Sequence, residues 1–210
     1  LAGLLCVGVA GAAIVESNVY QSVESEAFDR AREARAQIPR TPSPFSPAPE
    51  ETLGFRSSAA APASLPAAVT PPAPVVIGRL EIPRLGIRAM VREGVDDETL
   101  KVAVGHIPGT ALPGQAGNIG LAAHRDTFFR ALRNVRKGDL MLLTTLDGAD
   151  TYRVSTARVV DPAQVGVLAG TNGSRSLTLV TCYPFDFIGA APKRFVVAAR
   201  AEGDDPLQRR

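Results

Sequence analysis

The sequence predicts an all-β domain, a sandwich or a barrel, behind an N-terminal region of different character. Three observations carry that prediction. Between residues 77 and 200, seven short segments (77–82, 87–91, 118–123, 139–145, 151–160, 176–182 and 194–200) alternate apolar with polar residues or concentrate β-branched ones. Gly, Pro and Asp turns separate them, and the helical patterns in the same stretch, at 97–102, 127–132 and 162–165, are short. Ten of the 17 prolines fall between Pro39 and Pro74, which sets the start of the folded domain near residue 77.

Residues 1–15 hold no charge or strongly polar group before Glu16. A spanning helix needs about 20 apolar residues, and the first residue is Leu1, so the segment reads as part of an N-terminal membrane anchor. The core of a cleaved signal peptide is the alternative, because Ala10-Gly11-Ala12 fits a small-x-small cleavage pattern. Cys6 lies inside this run and reads as a membrane-facing apolar residue. Residues 16–38 are rich in Glu, Arg and Ala, with a Glu26–Arg30 pair and with Val19, Val23 and Ala27 on one stripe. They predict a juxtamembrane helix, a solvated spacer without chemistry.

Residues 39–76 form a Pro/Ala-rich tract without periodicity, which cannot bury enough apolar surface to fold. In polyproline II form such a linker reaches roughly 100 Å, at about 3.1 Å per residue, and so reads as a tether. The domain proper is expected over 77–201, followed by a disordered tail at 202–210. Charge divides at the same boundary: residues 77–200 hold 16 Lys and Arg against 11 Asp and Glu, a net +5, while the rest of the chain is net −3. A mildly basic domain suits either an anionic surface or ordinary solvent. Nucleic acid is not an expected partner for an exported chain with 5% aromatic residues.

The chemistry concentrates at predicted strand ends. Ser176-Leu-Thr-Leu-Val-Thr-Cys182-Tyr-Pro184 has a period of two, and Pro184 cannot donate to a ladder, so the strand stops at or just after Cys182. A disulfide to Cys6 would join a membrane segment to a folded domain, so Cys182 is expected to be a free thiol. A buried apolar cysteine is the plain alternative. Against it stand His124, which ends the run Asn118-Ile-Gly-Leu-Ala-Ala-His124, and Arg194, which opens the last strand. A thiol, an imidazole and a guanidinium at strand ends form a candidate nucleophile, proton carrier and anion stabiliser.

The segments His124-Arg-Asp-Thr-Phe-Phe, Thr178-Leu-Val-Thr-Cys182-Tyr-Pro-Phe and Ala191-Pro-Lys-Arg194-Phe resemble the signatures of sortases, most closely class D. The resemblance extends through Ile82-Pro-Arg-Leu-Gly86, Gly105-His-Ile-Pro-Gly-Thr110 and Pro113-Gly-Gln-Ala-Gly-Asn118, and covers residues 77–200. One departure is Ala123, where many relatives have Gly. The resemblance implies a closed sortase-like β-barrel and a membrane-anchored cysteine transpeptidase. It implies cleavage of an LPxTG-like signal on exported proteins through a Cys182 thioester, and transfer to an amine on a cell-wall precursor or pilin lysine. His124 would carry protons and Arg194 would hold the oxyanion.

Thr181 and His106 are further candidates, as substrate contacts. Thr181 precedes the nucleophile, although a plain strand residue fits nearly as well, and His106 reads more readily as a structural histidine in the wall of the site. Asp126 is expected to cap a helix beginning at Thr127. No cofactor is expected and no metal site, since two histidines and scattered carboxylates lack ligand spacing. Two rival readings stay open. A hydrolytic cysteine protease would use the same groups, and a non-enzymatic exported β-domain would leave them a coincidence.

Overall fold

The computed structural model describes residues 2–37, 75–170 and 173–203. A long helix, α1 (Ala2–Ala36), lies against a closed eight-stranded barrel. The strands are β1 (Val76–Ile82), β2 (Ile87–Glu93), β3 (Val104–His106), β4 (Gly117–Ala122), β5 (Leu140–Thr144), β6 (Ala149–Val160), β7 (Arg175–Tyr183) and β8 (Lys193–Ala201), with a short helix α2 (Asp97–Val102) between β2 and β3. Around the barrel they run β1-β2-β3-β4-β7-β8-β6-β5, and β5 closes on β1 where Leu80 faces Leu143. The β2–β3 and β4–β7 pairs are parallel and the others antiparallel.

All seven predicted strands are present. β3 escaped the sequence pattern because three residues are too few to display a period of two. Gly105 at its centre is required by contact, since a Cβ there would sit 2.3 Å from the carbonyl oxygen of Gly94. The helix expected at 127–132 is instead a 3-10 turn at Arg130–Asn134, preceded by Phe129, with no side-chain cap, so Asp126 is not its cap. The short helix expected at 162–165 is likewise a 3-10 turn, at Val165–Leu168. The linker lies outside the described residues over 38–74, as does the tail beyond Gly203.

Alternate residues of the strands fill the barrel: Leu80 and Ile82 of β1, Ala89 and Val91 of β2, Ile119 and Leu121 of β4, Leu177 and Leu179 of β7, Val197 and Ala199 of β8. Each large apolar side chain buried this way contributes about 1.5–3 kcal/mol. Phe129 and Leu132, both fully buried, belong to the same core and tie the segment after β4 to it.

The reading of residues 16–38 as a solvated spacer needs correction. α1 packs on the outer face of β1 and β2, where Arg79, Met90 and Arg92 are 8%, 0% and 5% exposed. The rings of Phe28 and Tyr20 lie 5.6 and 5.4 Å from the guanidinium carbons of Arg79 and Arg92. Asp29 pairs with Arg79 at 2.8 Å. The Gln21 amide accepts from Met90 N–H at 2.8 Å and donates to the Val102 carbonyl at 2.6 Å. It thus serves the edge of β2 just before β3 begins to pair there. The Val19 and Val23 stripe is more than half exposed, so the docking face is polar and aromatic. Arg35, near the end of α1, pairs with Asp147 at 2.6 Å.

A second lock secures the end of the barrel that carries the strand termini. Arg84, in the 3-10 turn Pro83–Leu85, forks onto the buried carboxylate of Asp139, and its Nη2 lies 2.6 Å from Oδ2. The Arg136 N–H adds a bond at 2.8 Å. The Arg84 bond, with help from Arg136 and against the effect of burial, holds the Asp139 carboxyl below its ordinary value of 3.8.

Two stability predictions follow from these contacts. Gln21→Ala leaves the buried Met90 N–H without a partner, at a cost of about 1–3 kcal/mol, so the full chain should melt several degrees lower. Ser22→Ala, on the exposed side of α1, should melt like wild type; equal melting of all three proteins means that α1 is not docked in solution. For Asp139, a lowered carboxylate pKa stabilises the fold above pH 3.8, and that contribution disappears as pH falls through the folded value. Asp139→Asn should lower Tm at pH 7, and the gap to wild type should close below that range. A gap that stays constant with pH would contradict the ion pair.

Candidate active site

Strand parity sorts the side chains around the barrel wall. On β7 Leu177 and Leu179 enter the core and Thr181 shares their parity, so Thr178, Val180 and Cys182 face outward. On β8 Val197 and Ala199 point in, which turns Arg194, Val196 and Ala198 out. The register places Cys182 opposite Arg194 and Val180 opposite Val196. On the other side of β7, Ala122 of β4 lies level with Val180. The two strands stay in step past the last ladder pair, because Ala123 N–H donates to the Val180 carbonyl at 3.3 Å and Thr181 Oγ1 donates to the Ala123 carbonyl at 2.7 Å. His124 lies two positions past Ala122, as Cys182 lies two past Val180. Thiol and guanidinium thus face each other across β7 and β8, and the imidazole follows the end of the strand on the other side of β7.

Cys182 is a free, half-buried thiol. His124 is exposed, and the imidazole and thiol are not hydrogen-bonded to each other. Arg194 is half-buried, and its Nη1 donates to the carbonyls of Ala191 and Lys193 at 3.2 and 3.0 Å. Its Nε and Nη2 donate to no described residue, so part of the fork is open to another acceptor.

The surrounding loops are tied down. Tyr183 at the end of β7, Phe185 just beyond it and Phe195 near the start of β8 form an aromatic cluster, with ring centroids 5.3–6.3 Å apart. Arg133 sits over Phe185 at 5.2 Å and pairs with Asp186 at 3.0 Å. Arg125, next to His124, donates to the Gly189 carbonyl at 3.0 Å and also to that of Phe187. The β7–β8 loop and the segment after His124 therefore hold each other.

Behind the strand ends, the outer faces of the same strands carry Ala122, Val180 and Val196, an apolar strip where a solvated barrel wall would be polar. Val196 is 2% exposed yet stands outside the core cluster. Further along β4, Gly120 is overlaid by Ile107, Thr110 and Leu168 at 3.0–3.3 Å from an ideal Cβ position. The sequence reading missed this strip. Its signal was available in Val180 and Val196, apolar residues at outward parity.

Thr181 and His106, expected as substrate contacts, are committed elsewhere. Thr181 is 3% exposed and spends its hydroxyl on Ala123, so it fixes the β4–β7 junction next to His124. His106 is 1% exposed, with Nδ1 2.8 Å from a Glu93 carboxylate oxygen and Nε2 3.0 Å from both the Ala111 carbonyl and Thr110 Oγ1. It anchors the loop that overlies Gly120 and offers no free surface to a peptide. Among the described residues no three His, Cys, Asp or Glu side chains gather as a metal site.

Comparison with known proteins bears on the barrel as a whole. Residues 80–202 match the sortase domain family. The chain is 30% identical over 196 residues to Sortase D of Bacillus subtilis (strain 168), covering 93% of this chain and 91% of that protein. It is 29% identical over 136 residues to Sortase A of Listeria monocytogenes, covering 63% of this chain and 59% of that one. Among solved structures it resembles the Clostridium perfringens Sortase D5 transpeptidase, with a TM-score of 0.56 at 28% identity over 61% of this chain and 79% of that chain. It also resembles Sortase A from Corynebacterium diphtheriae, with a TM-score of 0.59 at 28% identity over 64% of each chain. An eight-stranded closed barrel and a family match over most of the described barrel lead to one conclusion: the chain belongs to the sortase family.

Proposed function

We propose that this sortase cuts an LPxTG-like signal on exported proteins and passes the acyl group to an amine, with Cys182, His124 and Arg194 as its catalytic residues. The observation that carries the proposal is the shared level of Cys182 and Arg194 across β7 and β8, with His124 following Ala123 on the opposite neighbour, β4. The Cys182 thiolate attacks the scissile carbonyl carbon, and the resulting oxyanion is stabilised by the open donors of Arg194. The C–N bond then breaks, and His124 gives a proton to the departing amine. A thioester remains. The incoming amine bonds to the acyl carbon, His124 takes one of its protons, and the C–S bond breaks to restore the thiolate. Ala122 and Val180, half-buried at outward parity, suit the apolar part of an extended signal.

The proposal includes attachment to the cytoplasmic membrane with the barrel outside. Its support is the uncharged run over 2–15 at the start of α1 and the docking of the later part of α1 on the barrel. Among the described residues no helix is long and apolar enough to cross a membrane.

The test is a set of variants assayed with an LPxTG-type peptide and an amine, with products identified by mass spectrometry as ligated, hydrolysed or uncut. Cys182→Ala should fold and leave the peptide uncut. His124→Ala should lose a factor on the order of a hundred or more. Arg194→Lys keeps a cation but loses the planar fork, so turnover should fall at least about tenfold, since one oxyanion donor is worth about 10²–10³. Alkylation of Cys182 by a small reagent should keep its wild-type rate in that variant. Undiminished cutting by Cys182→Ala would remove the mechanism. Parallel loss of turnover and alkylation in Arg194→Lys would move Arg194 from the oxyanion to the thiolate.

A further inference from the structure

A cleft of about 870 Å³ opens between α1 and the end of the barrel, and His124 lines it. No residue of β7 or β8 does. One wall is helical, from Ser17, Asn18 and Gln21; the opposite wall is the segment after His124. Four cations line the cleft (Arg88, Lys101, Arg130 and Arg133), against one carboxylate, Asp126. Two of the four are already engaged. Arg88 lies 3.4 Å from Glu81 and 3.8 Å from Asp29, and Arg133 pairs with Asp186 at 3.0 Å. Lys101 and Arg130 are exposed and have no ion-pair partner among the described residues.

In the second half-reaction the acceptor nitrogen has to reach the acyl carbon within range of the base that deprotonates it. The rest of the acceptor therefore needs a site that opens onto His124. The cleft meets that requirement, since His124 lines it. We propose that the cleft between α1 and the barrel binds the amine acceptor, and that Lys101 and Arg130 select acceptors carrying an anionic group, a phosphate or a carboxylate, close to the reacting amine. This rests on the transpeptidase reading above. In the step itself the amine nitrogen bonds to the acyl carbon and the C–S bond breaks. One amine proton passes to His124, while the anionic group of the acceptor stays on Lys101 and Arg130. The same geometry makes α1 a working part of the enzyme, because its residues 17–21 form a wall of the acceptor site.

The experiment uses the full chain, an LPxTG-type peptide and two small amines that differ in one group, O-phosphoethanolamine and ethanolamine. The readout is the ratio of the two ligated products when the amines compete at equal concentration. This ratio is independent of how much protein is active. Wild type should favour the phosphorylated amine by roughly fivefold or more, the scale of one or two exposed charge contacts. The preference should collapse toward one in Lys101→Ala/Arg130→Ala, and should weaken as salt is raised. Lys101→Arg/Arg130→Lys, which keeps both charges, should retain it. An even ratio in wild type, or a preference that survives the double alanine variant, overturns the acceptor site while peptide cleavage shows the thioester pathway still running. Absence of any cleavage would instead sink the transpeptidase reading on which the site depends.

Discussion

Parallel pairing of β4 with β7 is the constraint on which the rest of the molecule depends. Two parallel neighbours cannot be joined by a tight turn. The chain between Ala122 and Arg175 therefore has to travel, and on the way it supplies the buried Phe129 and Leu132, then β5 and β6, which close the barrel against β1 and β8. The two strands run in the same direction and in step as far as Ala122 and Val180, and β7 continues to Tyr183. His124 thus follows the end of β4 and Cys182 lies near the end of its parallel neighbour β7, although 58 positions separate them. The Thr181 hydroxyl on the Ala123 carbonyl fixes that junction where the ladder itself ends. β8 then adds Arg194 from the opposite direction, at the register that Cys182 dictates.

The outside of the barrel is used as fully as the inside. One sector, on β1 and β2, is covered by α1 through two arginines beneath aromatic rings and a glutamine that serves an unpaired stretch of strand edge. Another, on β4, β7 and β8, carries the apolar strip behind the strand-end residues. The first arrangement joins the N-terminal helix rigidly to the domain that bears the proposed nucleophile.

What the sequence made legible was local. The period of two in 176–182, its stop near Pro184, the strand before His124 and the strand opened by Arg194 all follow from neighbouring residues, and these strands are present in the barrel. Register was not legible, because it is decided by partners dozens of residues away. The docking of α1 was hidden for a different reason. The visible apolar stripe of Val19 and Val23 faces solvent, and the buried face is built from Tyr20, Gln21, Phe28 and Asp29, a mixture that no hydrophobic period reveals. Thr181 and His106 were singled out by position in motifs, yet their hydroxyl and ring are occupied by Ala123, Glu93 and the 110–111 turn, contacts that exist only once the barrel has closed.

The central claim is that Cys182, at the end of β7, carries the acyl group between its two partners. Intact-mass spectrometry of the full chain, quenched in acid after mixing with an LPxTG-type peptide in the absence of amine, tests it most directly. The account predicts an adduct equal to the peptide's N-terminal part through threonine, released by hydroxylamine and mapped by digestion to the fragment containing Cys182. Cleavage of the peptide without any such adduct, or an adduct mapped to another residue, would contradict it.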